Sequence, residues 1–170
     1  MPESNNAAMK LTVTGPNEVV IENATVWYKN FAGIRRPGSY DTAGDRNFTL
    51  IVQDQNIAQA MIDMGYNMKY VVPEVASGTI VGPYWKLKVH VRFAAYPKNY
   101  FMYSNGIRTR LTEETIGQLD SARLTNVDLA IGLGQVNTNG ASATRTAYLN
   151  RIDATMAFDY LGQKYSEYAG

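Results

Sequence analysis

The residues from Trp85 to Phe93 alternate without a break. Trp85, Leu87, Val89, Val91 and Phe93 fall on one side of an extended chain, and Lys86, Lys88, His90 and Arg92 on the other. Side chains point to opposite faces at successive strand positions, so the pattern predicts a half-buried strand with one apolar and one cationic face. At roughly 3.3 Å per residue, three permanent positive charges and one imidazole occupy about 20 Å of strand. Like charges along one face repel, and a polyanion lying against them would offset that cost. A solvated edge protected from aggregation by Lys is the alternative.

The same alternation recurs along the chain. Val19 to Phe31 is rich in β-branched and aromatic residues and predicts the first core strand, with a bulge near Asn23 and Ala24. Ile21, Ala24, Val26 and Tyr28 are expected inside, and Trp27 and Lys29 outside. Further strands are expected at Asn47 to Val52, Tyr66 to Val72, Tyr100 to Tyr103, Ile107 to Leu111 and Asn126 to Leu133. Thr144 to Phe158 predicts the last strand, although Tyr148, Ile152 and Met156 share a four-residue period that a helix also satisfies. Ser104-Asn105-Gly106 is a hairpin signal. Asp54 predicts the N-cap of a short helix that Gly65 ends, and Thr112 predicts the cap of a second with Glu113 and Glu114 in its first turn.

At least six short strands and two short helices predict a mainly β protein: a small OB-fold-like barrel, with a β-sandwich as the alternative. Residues 1–17 read as a mobile N-terminal arm with a short strand at Leu11 to Thr14, 18–160 as one domain, and 161–170 as a weakly ordered tail. A chain of 170 residues suffices for one hydrophobic core.

Composition removes several kinds of chemistry. Cysteine is absent and His90 is the single histidine, so disulfides, thiolate metal sites and a Ser-His-Asp or Cys-His triad are not expected. There is no phosphate-binding glycine loop and no HExxH. No metal, cofactor or catalytic activity is expected. No apolar run approaches the roughly 20 residues of a membrane span, and no membrane partner is expected. The net charge is only +1, so any polyanion site must come from segregated charge.

What stands out is aromatic residues beside cations, with twelve Tyr and two Trp in the chain. Single-strand binders stack bases on aromatic rings for about 1–3 kcal/mol each and track phosphates with Lys or Arg. On that basis the stacking set is Trp27, Tyr40, Tyr84, Trp85 and Tyr100. The phosphate set is Arg35, Arg36, Lys86, Lys88, Arg92, Lys98, Arg108 and Arg110. Arg46 beside Phe48 joins them as a nucleic-acid contact. Arg35, Arg36 and Tyr40 sit in a long Gly/Pro-rich stretch, Ala32 to Asp45, that reads as a flap over a phosphate backbone.

Across Glu22 to Met156 the sequence resembles the phage-encoded single-stranded DNA-binding proteins with an OB-fold. The resemblance lies in Asn30-Phe31-Ala32-Gly33, in Arg46-Asn47-Phe48 running on to Asp54 and to Gly65-Tyr66-Asn67, and in the basic strand with the Pro97-Lys98 turn. It continues in Asn126-Val127-Asp128-Leu129 and Ala147-Tyr148-Leu149. It implies non-catalytic binding of single-stranded DNA in phage replication or recombination, in the host cytoplasm, with phage or host replication proteins as further partners and oligomers possible. Two departures stand out. Relatives carry Arg-Pro-Tyr and then Trp after the Val-Asp-Leu strand, where this chain has Gly132-Leu133-Gly134-Gln135-Val136. They also often end in an acidic tail, whereas this chain ends Ser166-Glu167-Tyr168-Ala169-Gly170. The readings that compete with DNA binding are a β-rich virion assembly protein and, more distantly, a metal-dependent nuclease.

Overall fold

The computed structural model describes residues 8–34, 44–73, 82–93, 99–136 and 145–157. Its organising strand pair is a single run of chain bent in the middle. β2 (Glu18–Glu22) and β3 (Thr25–Asn30) are separated by Asn23 and Ala24, and a φ of 60° at Asn23 turns the chain. Before the bend, Val19 and Ile21 pair with Ile131 and Leu129 of β9 (Leu124–Val136). At the bend, the Ala24 amide donates to the Val127 carbonyl at 2.8 Å. After it, Thr25 and Trp27 pair with Ile51 and Thr49 of β4 (Arg46–Val52).

The other contacts complete a ring. β4 runs antiparallel to β6 (Tyr84–Val91). β6 meets β10 (Arg145–Met156) in a parallel pairing through Ala147↔Val89 and Tyr148↔His90. β10 runs antiparallel to β9. The bent strand thus joins both ends of the sheet. The ring order, with a parallel contact between the third and last strands, is that of an OB barrel, a partly open one in which β3 pairs with β4 alone among the described strands. Three additions lie outside the ring. β1 (Lys10–Gly15) pairs with β2, β5 (Lys69–Val71) with β6, and the hairpin of β7 (Asn99–Ser104) and β8 (Ile107–Arg110) with β10.

The interior is filled by alternate positions of the ring strands. Val19, Ile21, Phe48, Leu50, Val52, Leu87, Val89, Leu129, Ile131, Leu149 and Ile152 are all buried in one cluster. The helix α1 (Gln55–Met64) covers one end through Ala58 and Met61. Asp54 caps it by accepting from the Asn56 and Ile57 amides at 2.8 and 3.1 Å, and Gly65 ends it at φ 111°. At the hairpin turn, Asn105 and Gly106 both take positive φ, as a two-residue turn between strands of normal twist requires.

The short strand expected at Leu11 to Thr14 is present as the edge strand β1, which pairs with β2. Three local expectations are corrected. Tyr28 is not in the core but 61% exposed: the β3–β4 ladder shifts register between Trp27 and Asn30, and a φ of 53° turns Tyr28 out. The second helix is a 3₁₀ helix starting at Ile116, four residues beyond Thr112. The Thr112 amide donates to the Thr115 hydroxyl at 2.8 Å, so Glu113 and Glu114 lie in the turn before the helix. Its expected core contacts, Ile116 and Leu119, are fully buried. The strand expected at Tyr66 to Val72 is confined to Lys69–Val71, and Tyr66 instead forms a lone bridge with Arg145. The 161–170 tail lies outside the described residues.

Candidate nucleic-acid interface

The face of β6 turned away from the core carries Tyr84, Lys86, Lys88 and His90. Register places their neighbours. Lys86 lies between Ile51 of β4 and Lys69 of β5, Lys88 beside Thr49, and His90 between Asn47 and Tyr148. A groove of about 330 Å³ opens over these strands. Lys69, Lys86, Lys88, His90 and Arg145 line it with Thr49 and Asn67, and no carboxylate is among its described lining residues. The residues arrive from β4, β5, β6 and β10, up to 96 positions apart in the chain, and only the barrel brings them together.

Arg145 is held in place rather than free to wander. Its Nε donates to the Gly134 carbonyl and its Nη1 to Asn17 Oδ1, both at 2.8 Å. His90 Nδ1 lies 3.7 Å from an Asp45 carboxylate oxygen. Burial first, and then the Lys88 charge, hold the imidazole below its ordinary pKa against the opposing pull of Asp45.

Aromatic rings stand at both ends of this face. At one end Trp27 meets Tyr84 edge-on, with centroids 5.7 Å apart, and Tyr28 at 5.9 Å. At the other end the Arg92 guanidinium lies 3.6 Å over the Tyr148 ring, and His90 is 6.0 Å from that ring. The ring of Tyr148 leans against Gly134, where an added Cβ would sit 2.6 Å from Cε2.

The expected contact residues fall into distinct groups. Lys86 and Lys88 line the groove, Trp27 stands at one end of its face and Arg92 at the other. Tyr84 is on the same face but only 9% exposed, packed against Trp27 and Ile51, so it supports Trp27 more than it offers a ring face. Trp85 points the other way, half-buried against the core and 4.9 Å from the exposed ring of Tyr70. Arg108 and Arg110 lie at 3.6 and 4.7 Å over Phe101 on the β7–β8 hairpin, away from the groove lining.

Arg46 faces the inner side of β4, donates to the Glu113 carbonyl at 3.1 Å and lies 5.4 Å from the Phe93 ring, outside the groove. Tyr100 is a correction. It is 0% exposed, and its hydroxyl donates to the Arg92 and Leu149 carbonyls, so no base can stack on it. Arg35, Arg36, Tyr40 and Lys98 lie outside the described residues.

Lys69, Asn67, Arg145, His90 and Tyr148 were not in the expected contact set. The proximity of Arg145 and Tyr148 in the chain, and of Lys69 and Tyr70, is the signal that points to them. Among the described residues no group of three or more His, Asp or Glu side chains gathers as metal ligands.

No curated protein sequence matches the chain. A solved structure similar to it is the "Single-stranded DNA-binding protein from bacteriophage Enc34, C-terminal truncation". The identity is 12%, covering 91% of this chain and 96% of that one, with a TM-score of 0.44. A family model described as "Putative phage ssDNA-binding domain" matches residues 9–169. That span takes in every strand of the barrel and every residue of the groove, and the chain belongs to this family of phage ssDNA-binding domains.

Proposed function

We propose that the protein binds single-stranded DNA with little sequence preference, in phage DNA replication or recombination in the host cytoplasm. Phosphates lie along the groove of Lys69, Lys86, Lys88 and Arg145, and bases meet the rings of Trp27 and Tyr28 at one end and the Tyr148–Arg92 stack at the other. The carrying observation is the segregation of charge. A chain of net charge +1 gathers four permanent cations around one groove, with Lys69 directly across the ladder from Lys86. Like charges in that position are destabilising in the free protein, and a phosphate between them reverses the sign. The flanking rings favour unstacked bases over duplex, whose bases present no free face.

The test is a titration of intrinsic Trp emission with oligo-dT and with duplex of equal length at two salt concentrations. Oligo-dT is expected to quench, duplex to respond weakly, and the affinity to fall steeply with salt as counterions are released. In a Lys86→Ala/Lys88→Ala variant, log K against log salt should lose roughly 0.7 of slope for each single-strand phosphate contact removed. Affinity independent of salt would refute the reading.

A further inference from the structure

A second concavity, of about 410 Å³, lies round the barrel from the cationic groove, over β10, β9 and β2. Register sets its geometry. Tyr148 of β10 pairs with Gly132 of β9, and Gly132 pairs with Glu18 of β2. Tyr148 and Glu18 are therefore two strand spacings apart, about 10 Å, with no side chain on the strand between them at that position. One wall is the Arg92 guanidinium, its Cζ 3.6 Å over the centre of the Tyr148 ring. The opposite wall is polar. The Asn150 amide crosses Gly132 and donates to Glu18 Oε2 at 2.8 Å, and Thr14 Oγ1 donates to Glu18 Oε1 at 2.8 Å. These bonds fix the carboxylate and leave it further acceptor sites, since two carboxylate oxygens offer about four.

The chemistry differs from that of the groove. A carboxylate in the concavity repels phosphate, which argues against a second phosphate site. A planar cation fixed over an aromatic ring is a surface on which a base stacks. A fixed carboxylate on the facing wall accepts from an exocyclic amino group, as Glu does from cytosine N4. We propose that this slot is a nucleobase subsite that stacks one base on Arg92 and takes bases with an exocyclic amino group in preference to those with a carbonyl there. The inference rests on the single-stranded DNA reading and adds to it a base preference at one position, with Glu18 as the residue that sets it and Tyr148 as the residue that positions Arg92.

The test compares an oligo-dU with the same oligomer carrying one central dC, which differ at the reading edge by amino against carbonyl and by the N3 position. The wild-type protein is expected to bind the dC oligomer at least about tenfold more tightly, the lower end for one charged hydrogen bond. In Glu18→Gln, whose thermal melt reports that it folds, the ratio should fall below about twofold, because the amide can also donate to the uracil carbonyl. Arg92→Ala, at an exposed position, is the second variant and should lose the preference together with the stacking surface. Equal wild-type affinity for the two oligomers, or a preference that survives in Glu18→Gln, would overturn the subsite. Wild-type protein that binds neither oligomer at low salt would overturn the DNA-binding reading itself, so the two failures are distinct.

Discussion

Tyr100→Phe removes one hydroxyl from a ring that is 0% exposed. That hydroxyl lies 3.0 Å from the Arg92 carbonyl and 2.8 Å from the Leu149 carbonyl. It carries a single proton, so the two contacts share it, and it ties β7 to β10 and to the chain just beyond β6. Phe keeps the ring and its packing, including the edge-on contact with Phe93 at 5.3 Å. What is lost is the donor to two carbonyls in a region with little access to water, a cost of about 1–2 kcal/mol. For a chain of this length that lowers the melting temperature by roughly 2–8 °C. The same residue gives an alkaline signature. Burial pushes the Tyr100 phenol up to about 12, against a smaller lowering by its bond to Arg92 and the Arg92 charge. The unfolded phenol ionises near about 10. The folded value is the higher one, so this contribution to stability is complete below the unfolded value and is lost as pH rises through the folded value. The loss is at most about 1.4 kcal/mol per pH unit for one group. Tyr66, whose phenol is also raised by burial, adds to it in the wild type. Urea denaturation at neutral pH and at a series of alkaline pH values measures both effects. The Phe variant should be less stable at neutral pH and lose stability less steeply above about pH 10, with its affinity for single-stranded DNA unchanged. Stability within about 0.5 kcal/mol of wild type, with an unaltered alkaline slope, would refute the hydrogen-bonded burial of Tyr100.

Two further outcomes follow from the same face. Gly134→Ala places a Cβ 2.6 Å from the Tyr148 ring and should cost about 1–3 kcal/mol of stability while weakening binding through the displaced Arg92 stack; a variant with unchanged melting and affinity would contradict that close approach. His90 sits among Lys88, Asp45, Tyr148 and the nearby Arg92, with its pKa lowered in the free protein. A phosphate in the groove favours the imidazolium, so binding takes up a proton and affinity should rise as pH falls through roughly 7 to 5.5, an effect that His90→Gln should flatten.

Much of the local structure is legible from neighbouring residues because its causes are local. The cap of Asp54 on Asn56 and Ile57, the left-handed stop at Gly65 and the turn at Asn105-Gly106 each depend on atoms within a few positions of one another. The alternation of β6 is equally readable, since one side is apolar and the other cationic. Tyr100 to Tyr103 is the contrasting case. Both sides of that strand are apolar, so the period-two pattern does not say which enters the core. β10 decides it by pairing with β7 so that Tyr100 and Met102 face inward, while Phe101 and Tyr103 face outward and Phe101 is covered by Arg108 and Arg110. Tyr28 fails for another reason: a register shift in the ladder reverses its side, and nothing in its neighbours' hydrophobicity records that shift.

The amino-acid sequence by itself determined most of the strands, the Asp54-capped helix, the cationic face of β6 and the absence of thiol or multi-histidine chemistry. It did so because each rests on composition or on contacts a few residues apart. Only the tertiary structure decided which cations share a groove and which rings are exposed. Lys69, Lys86 and Arg145 meet because the barrel sets β5 and β10 against the same edge of β6, and Tyr148, Gly132 and Glu18 stand in one row because two ladders meet at Gly132. Register is a property of strands that are distant in the chain, fixed by the packing of their buried faces, and side chains on the outer face go where that packing carries them.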